Sequence, residues 1–167
     1  FPPLVDINEK GESVAGLAES WEVSEDGFVY TFKLRDGLLF DDGTPFTAED
    51  VEFTLTLLHD PSYPGDTDIT EAKVVGGLDY KNGDATSISG IKVIDEQTIE
   101  ITTEEVNAQS LHLLGGQILQ KAYYGKDYRK GNLDYLNDLH LKPVGAGPFR
   151  FVAYLPGQEI RFEANEH

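Results

Sequence analysis

The 167-residue chain contains no cysteine and no methionine. Without cysteine there is no disulfide, no Cys-ligated structural zinc and no thiol nucleophile, so a disulfide-stapled scaffold and cysteine catalysis are both excluded. Basic residues are scarce: 13 Lys and Arg stand against 30 Asp and Glu, a formal net charge of −17. Such a chain repels phosphate backbones and anionic lipid surfaces, which excludes nucleic acid as a partner. It attracts cations at long range, although an acidic surface that keeps a protein soluble accounts for the same charge. Long apolar runs are also missing. None approaches the roughly 20 residues of a membrane-spanning helix. The chain starts at Phe1 without an initiator and stops at His167 soon after a strand-like run, as expected of an excerpt from a longer protein.

What remains is ordinary for a globular unit with its own core: 40% hydrophobic and 26% charged residues, with neither a solenoid repeat nor a low-complexity tract. Three hairpins stand out. Trp21 and Val23 lead into a turn at Ser24 to Gly27. Phe28, Tyr30, Phe32 and Leu34 then alternate with polar or smaller residues, the period-two pattern of a half-buried strand whose apolar face, with Trp21, belongs in the core. Ile91 and Val93 run into a turn at Asp95 and Glu96, and Ile99 and Ile101 run out. Phe149 and Phe151 pair with Ile160 and Phe162 around Pro156 and Gly157.

Helical periodicity appears between these hairpins. Thr47 three residues before Asp50 approximates a capping box, and Val51, Leu55 and Leu58 follow on one face. The spacing predicts a helix from Thr47 or Ala48 to about His59 or Asp60, where Pro61 stops it. A second helix is predicted from about Ile69 to Lys81, weakened by Gly76 and Gly77 and closed by Asn82 and Gly83. Residues Asn107 to Tyr124 read as one or two helices broken at Gly115 and Gly116, and Asn132 to Leu139 as a short one. Interspersed helices and hairpins give an α+β (mixed α/β) class, a hairpin-rich sheet with packed helices.

No catalytic constellation emerges. Gly145-Ala146-Gly147-Pro148 lacks the Lys and Ser or Thr of a phosphate-binding loop and leads into a strand. Asp66, Asp68 and Thr70 start like a calcium loop, but Glu71 and Gly77 occupy positions that need Gly and Glu. The acidic pairs Asp41–Asp42, Glu49–Asp50 and Glu104–Glu105 are adjacent in sequence, whereas paired carboxylates in hydrolases face each other across a cleft. His59, His112, His140 and His167 have no helical metal spacing and are expected at the surface or its boundary. Catalytic residues, metal ligands and cofactors are therefore all expected to be absent.

Three ordered blocks carry a resemblance. The first runs Gly16-Leu17-Ala18-Glu19-Ser20-Trp21-Glu22-Val23, Asp26-Gly27, Tyr30-Thr31-Phe32-Lys33-Leu34-Arg35 and Phe40-Asp41-Asp42-Gly43-Thr44-Pro45-Phe46-Thr47-Ala48-Glu49-Asp50-Val51. The second is Ser89 to Asp95 with Thr98-Ile99-Glu100. The third is Pro143 to Phe149, then Pro156 to Ile160, Glu163 and Asn165. Together they resemble the family 5 extracellular solute-binding proteins, the oligopeptide, dipeptide and nickel receptors of ABC importers. Family members commonly carry Thr where Ala146 stands.

The resemblance implies a partial lobe of a two-lobed, periplasmic-binding-protein-like fold. Residues 1–120 would form the inserted subdomain of the first lobe and residues 121–167 the start of the chain's return to the main subdomain, with the second lobe absent. It implies capture of a small peptide or similar polar ligand outside the cytoplasmic membrane, periplasmic or lipid-anchored, and delivery to membrane permease subunits. The alternatives are a peptide sensor without transport and, from another class, an acid/base hydrolase using an acidic pair. By the same resemblance Tyr63 and the Gly115, Gly116, Gln117 segment approach the ligand. Against this, Tyr63 also suits a turn aromatic covering a helix end, and the glycines a helix break. A single lobe is expected to bind ligand negligibly and to self-associate through exposed edges or apolar faces, whereas the parent is expected to be monomeric.

Overall fold

The computed structural model describes residues 1–167. Strands β1 (Val5–Ile7) and β2 (Ser13–Ala15) form a small antiparallel pair. Strands β3 (Ala18–Val23), β4 (Val29–Leu34), β5 (Ile91–Asp95) and β6 (Thr98–Thr102) build the main sheet, antiparallel throughout in the order β3-β4-β6-β5. The alternation in β4 is used as expected: Tyr30, Phe32 and Leu34 are buried and meet Ile99 and Ile101 of the neighbouring β6. Phe28 departs from expectation. It lies before the strand and is only half-buried; its carbonyl accepts from the Thr103 N–H (2.8 Å) at the sheet's end. Trp21, on the edge strand β3, is half-buried at the rim of the core.

Helix α1 (Ala48–Leu58) starts and stops where the capping box and Pro61 predict. The Asp50 carboxylate accepts from the Thr47 N–H at 2.8 Å. The helix is buried on two sides. Val51 and Leu55 join the sheet in the larger apolar cluster, while Phe53 and Leu57 pack with Tyr124 and Leu133 in a second. A helix enclosed this way has little room for unpaired polar groups, and its buried polar side chains are tied to one stretch of backbone. Thr54 Oγ1 accepts from the Leu119 N–H (2.9 Å) and Asp50 Oδ1 from the Lys121 N–H (2.7 Å). The two side chains sit one helical turn apart, about 6 Å. Alternate N–H groups of an extended segment repeat at about 6.6 Å, so the helix grips residues 119–121 as a neighbouring strand would. Gln120 points the other way, donating from Nε2 to Asp42 Oδ2 (2.9 Å) and to Thr44 Oγ1.

The single helix expected over Ile69 to Lys81 is instead a 3-10 turn, Ile69–Ala72, and a short helix α2, Gly77–Asn82. Between them Lys73 and Gly76 adopt left-handed backbone (φ 52° and 74°). Residues 73–75 are drawn alongside the end of the main sheet: Val75 N–H donates to the Thr102 carbonyl (2.9 Å) and Glu104 N–H to that of Lys73 (2.7 Å). Sheet pairing overrides helical periodicity here. Asp68, read in sequence as part of an acidic loop, accepts from the Thr70 N–H and caps the 3-10 turn.

The region 107–124 does break at Gly115, into α3 (Ser110–Leu114) and α4 (Lys121–Tyr124), and α5 is confined to Leu136–Leu139. The last hairpin, β7 (Phe149–Leu155) with β8 (Glu159–Ala164), pairs only with itself. Its apolar side chains are bare, with Phe149 66%, Ile160 58% and Phe162 55% exposed. No helix is long and apolar enough to cross a membrane.

His59 corrects the expectation of surface histidines. His112, His140 and His167 are exposed, but His59 is 1% exposed, with Nδ1 2.7 Å from the Leu55 carbonyl and Nε2 unpaired. Gly77 packs directly on the imidazole; a Cβ there would come within 2.6 Å of Nε2. Burial holds the imidazole pKa below its ordinary 6.5, against the Leu55 hydrogen bond that favours the cation.

Two predictions follow from this packing. A base whose folded pKa is depressed gives stability that is complete above its unfolded pKa and is lost as pH falls below it. The midpoint of thermal unfolding is therefore expected to fall as pH drops below 6.5, and less steeply in His59→Gln; equal slopes in both proteins would contradict the burial of a neutral His59. Thr54→Val leaves the half-buried Leu119 N–H without an acceptor, and urea denaturation should show a loss of about 1–3 kcal/mol.

Candidate functional site

One concave site of about 510 Å³ opens between the C-terminal half of α1, the loop after it, the end of α3 and residues 116–119, which lead into the gripped segment. Its volume suits a small ligand. Thr54, Leu55, Leu57 and Leu58 form one wall, Leu113, Leu114 and Ile118 another, and Phe1 also lines the cavity. Tyr63, Gln109, His112 and Gln117 supply polar groups. Although the chain carries a net charge of −17, no Asp, Glu, Lys or Arg lines this cavity.

Of the four residues expected near a ligand, the structure brings Tyr63, Gly116 and Gln117 together on this cavity, while Gly115 lies behind it. Gly115 is buried, and a Cβ there would approach Val5 Cγ2 to 3.0 Å and the Leu111 carbonyl to 2.8 Å. Its carbonyl accepts from the Val5 N–H at 3.0 Å, and that of Gly116 from Leu4 at 3.2 Å. Close packing against the N-terminal segment therefore explains Gly115. At Gly116 the nearest atom to an added Cβ is 3.6 Å away, so its lack of a side chain leaves the cavity floor open. Tyr63 is half-buried and packs against the second apolar cluster, covering the end of α1. Its ring also lies over Gly65, where a Cβ would come within 2.5 Å of Cζ.

Sequence reasoning missed Asp60. It is 0% exposed and accepts from the Ser62 N–H (2.8 Å) and hydroxyl (2.6 Å), the Gly131 N–H (3.0 Å) and the Tyr128 hydroxyl (2.8 Å). Burial opposes its ionisation, but these donors outweigh it and hold the carboxyl below its ordinary range. The Asp-Pro-Ser run after α1 carried a local turn signal; Gly131 and Tyr128, about 70 residues on, carried none.

The acidic pair Asp41–Asp42 is divided by its surroundings. Burial raises the Asp41 pKa. Burial acts in the same sense on Asp42, but hydrogen bonds from Gln120 and Thr44 reverse it. Both oxygens of Asp42 are engaged by Gln120 Nε2, and Oδ1 also accepts from the Thr44 N–H, so Asp42 serves the turn. A wider groove of about 850 Å³ lies between Pro143, Val144 and the bare β7–β8 hairpin, with Asp41 and Arg150 at its edge.

Residues 12–167 match the model of bacterial extracellular solute-binding proteins, family 5 middle. Di/tripeptide-binding protein 1 of Pseudomonas aeruginosa is 37% identical over 99% of this chain and 32% of its own length. Heme-binding protein A of Haemophilus influenzae is 33% identical over 90% and 28%. The solved murein tripeptide binding protein of Escherichia coli superposes with a TM-score of 0.81 at 26% identity, over 99% of this chain and 32% of that one. The chain thus spans about a third of the length of the relatives it matches. Matched along nearly all of its residues, in sequence and in fold, the chain belongs to family 5 of the bacterial extracellular solute-binding proteins.

Proposed function

We propose that this chain is one portion of a solute-binding protein that captures small peptides outside the cytoplasmic membrane and delivers them to an ABC permease. The family match over residues 12–167 carries the reading. The names of two relatives, one for di- and tripeptides and one for a murein tripeptide, supply the ligand class. Residues 1–120 make up the inserted subdomain of the first lobe in this account, and residues 121–167 begin the return to its main subdomain. The bare β7–β8 hairpin suits a unit whose neighbours lie in the rest of the protein. Binding rather than catalysis is the role.

The 510 Å³ cavity forms one wall of the ligand site, with Tyr63 and Gln117 at its polar rim and the Gly116 backbone as its floor. A wall without Asp, Glu, Lys or Arg side chains reads shape and polarity, so the charges of a peptide's termini fall to the opposite lobe. An aromatic ring with one hydroxyl tolerates many side chains while orienting the backbone.

Calorimetry on the full-length protein with dialanine, trialanine and hemin tests the reading. Peptide binding is expected, and Tyr63→Ala should weaken it about tenfold, about 1.4 kcal/mol. Unchanged affinity in Tyr63→Ala removes Tyr63 from the site, and binding of hemin alone overturns the peptide assignment.

A further inference from the structure

We infer that Asp60 is a positioning residue: its buried carboxylate sets the conformation of the Tyr63 loop by locking it to residues 128–131. The relevance to ligand binding rests on the reading of Tyr63 given above; the locking itself rests on geometry alone.

Asp60 follows α1 directly, and its carboxylate works in two directions. Toward its own loop, Oδ1 takes both donors of Ser62, and the Asp60 carbonyl accepts from the Tyr63 N–H at 3.0 Å. This closes a tight turn that fixes where the Tyr63 backbone leaves the helix. Toward the distant segment, both oxygens lie within reach of the Gly131 N–H (3.2 and 3.0 Å), and Oδ2 accepts from the Tyr128 hydroxyl. Gly131 has φ 82°, a left-handed conformation that suits glycine and turns its N–H to the carboxylate.

Proton counting orders the rest of the network. The Tyr128 hydroxyl has one proton, which goes to Asp60, so Tyr80, 2.7 Å away, donates to Tyr128. Lys130 lies over the Tyr80 ring at 3.9 Å and donates to the Ala85 carbonyl at 2.7 Å. One carboxylate therefore joins the end of α1, α2 and the 128–131 turn. It is surrounded by donors alone, and only a group that accepts at both oxygens satisfies them. Asn in its place offers one acceptor and turns an N–H₂ toward an N–H or a hydroxyl already oriented to donate. The loop then loses its anchor at the point where Tyr63 departs, and the ring loses its seat over Gly65.

The experiment compares wild type, Asp60→Asn, Tyr128→Phe and Ile99→Val in the full-length protein, below the unfolding temperature of every variant. Hydrogen exchange at the Ser62 and Tyr63 amides is read without ligand, and trialanine affinity by calorimetry. Asp60→Asn should speed exchange at both amides at least tenfold and weaken trialanine about tenfold. Tyr128→Phe, which removes one of the donors, should do both to a smaller degree. Ile99→Val lowers stability in the main sheet, far from the loop, and should change neither. Unaltered exchange in Asp60→Asn, or equal changes in Ile99→Val, overturns the inference, because the effect would then follow stability alone. If Asp60→Asn does not fold, Tyr128→Phe and Ser62→Ala decide on the same exchange readout. Accelerated exchange with unaltered affinity in both Asp60→Asn and Tyr63→Ala keeps the lock and overturns the ligand role of Tyr63.

Discussion

Helix α1 is enclosed on both sides, and most of the structure answers to that enclosure. One flank packs on the main sheet through Val51 and Leu55, the other on Tyr124 and Leu133 through Phe53 and Leu57. Asp50 and Thr54 in the helix, and His59 and Asp60 at its end, are all buried. A buried polar group is costly unless paired, and three of the four are paired with segments far along the chain. Thr54 and Asp50 take the N–H groups of residues 119 and 121, and Asp60 takes Gly131 and Tyr128. The helix thereby specifies the path of the chain after α3, and that path makes the cavity's second wall.

The site inherits its character from this arrangement. Its walls are apolar side chains of the helix and of the stretch that leads into the segment gripped by it, which is why a strongly acidic chain presents a cavity that no Asp, Glu, Lys or Arg lines. Acidic groups are spent instead on turns and caps: Asp42 on Thr44 and Gln120, Asp68 on Thr70, Asp60 on Ser62. Asp42 and Asp50, each one member of an adjacent acidic pair, are held by the donors around them.

Local chemistry was the part readable in advance. The capping box at Thr47 and Asp50, the alternation Tyr30, Phe32, Leu34 and the turns at Gly27 and Gly157 declare themselves within a few residues, and all three hairpins and α1 stand where those signals put them. Long-range competition was hidden. The run Ile69 to Lys81 has helical periodicity, but residues 73–75 pair beside Thr102 and Glu104, and nothing in the run itself reports that partner. His59 looked like a surface residue because its burial depends on Gly77, a contact set by the same break. In the site, the resemblance led to Tyr63, Gly116 and Gln117, which share the cavity, whereas Gly115 answers to Val5. Asp60 was missed because two of its hydrogen-bond donors, the Tyr128 hydroxyl and the Gly131 N–H, meet it only once residues 128–131 are folded against it.

The central claim is that this chain supplies one wall of a site that needs a second lobe. A ligand held by one wall loses its translational and rotational freedom for a fraction of the contacts that enclosure gives. Calorimetric titration of trialanine into residues 1–167 and into the full-length protein tests this most directly. Saturable heat is expected for the full-length protein and none for residues 1–167 at the same concentrations. Equal affinity in the two would contradict it, and would locate the whole binding site within these 167 residues.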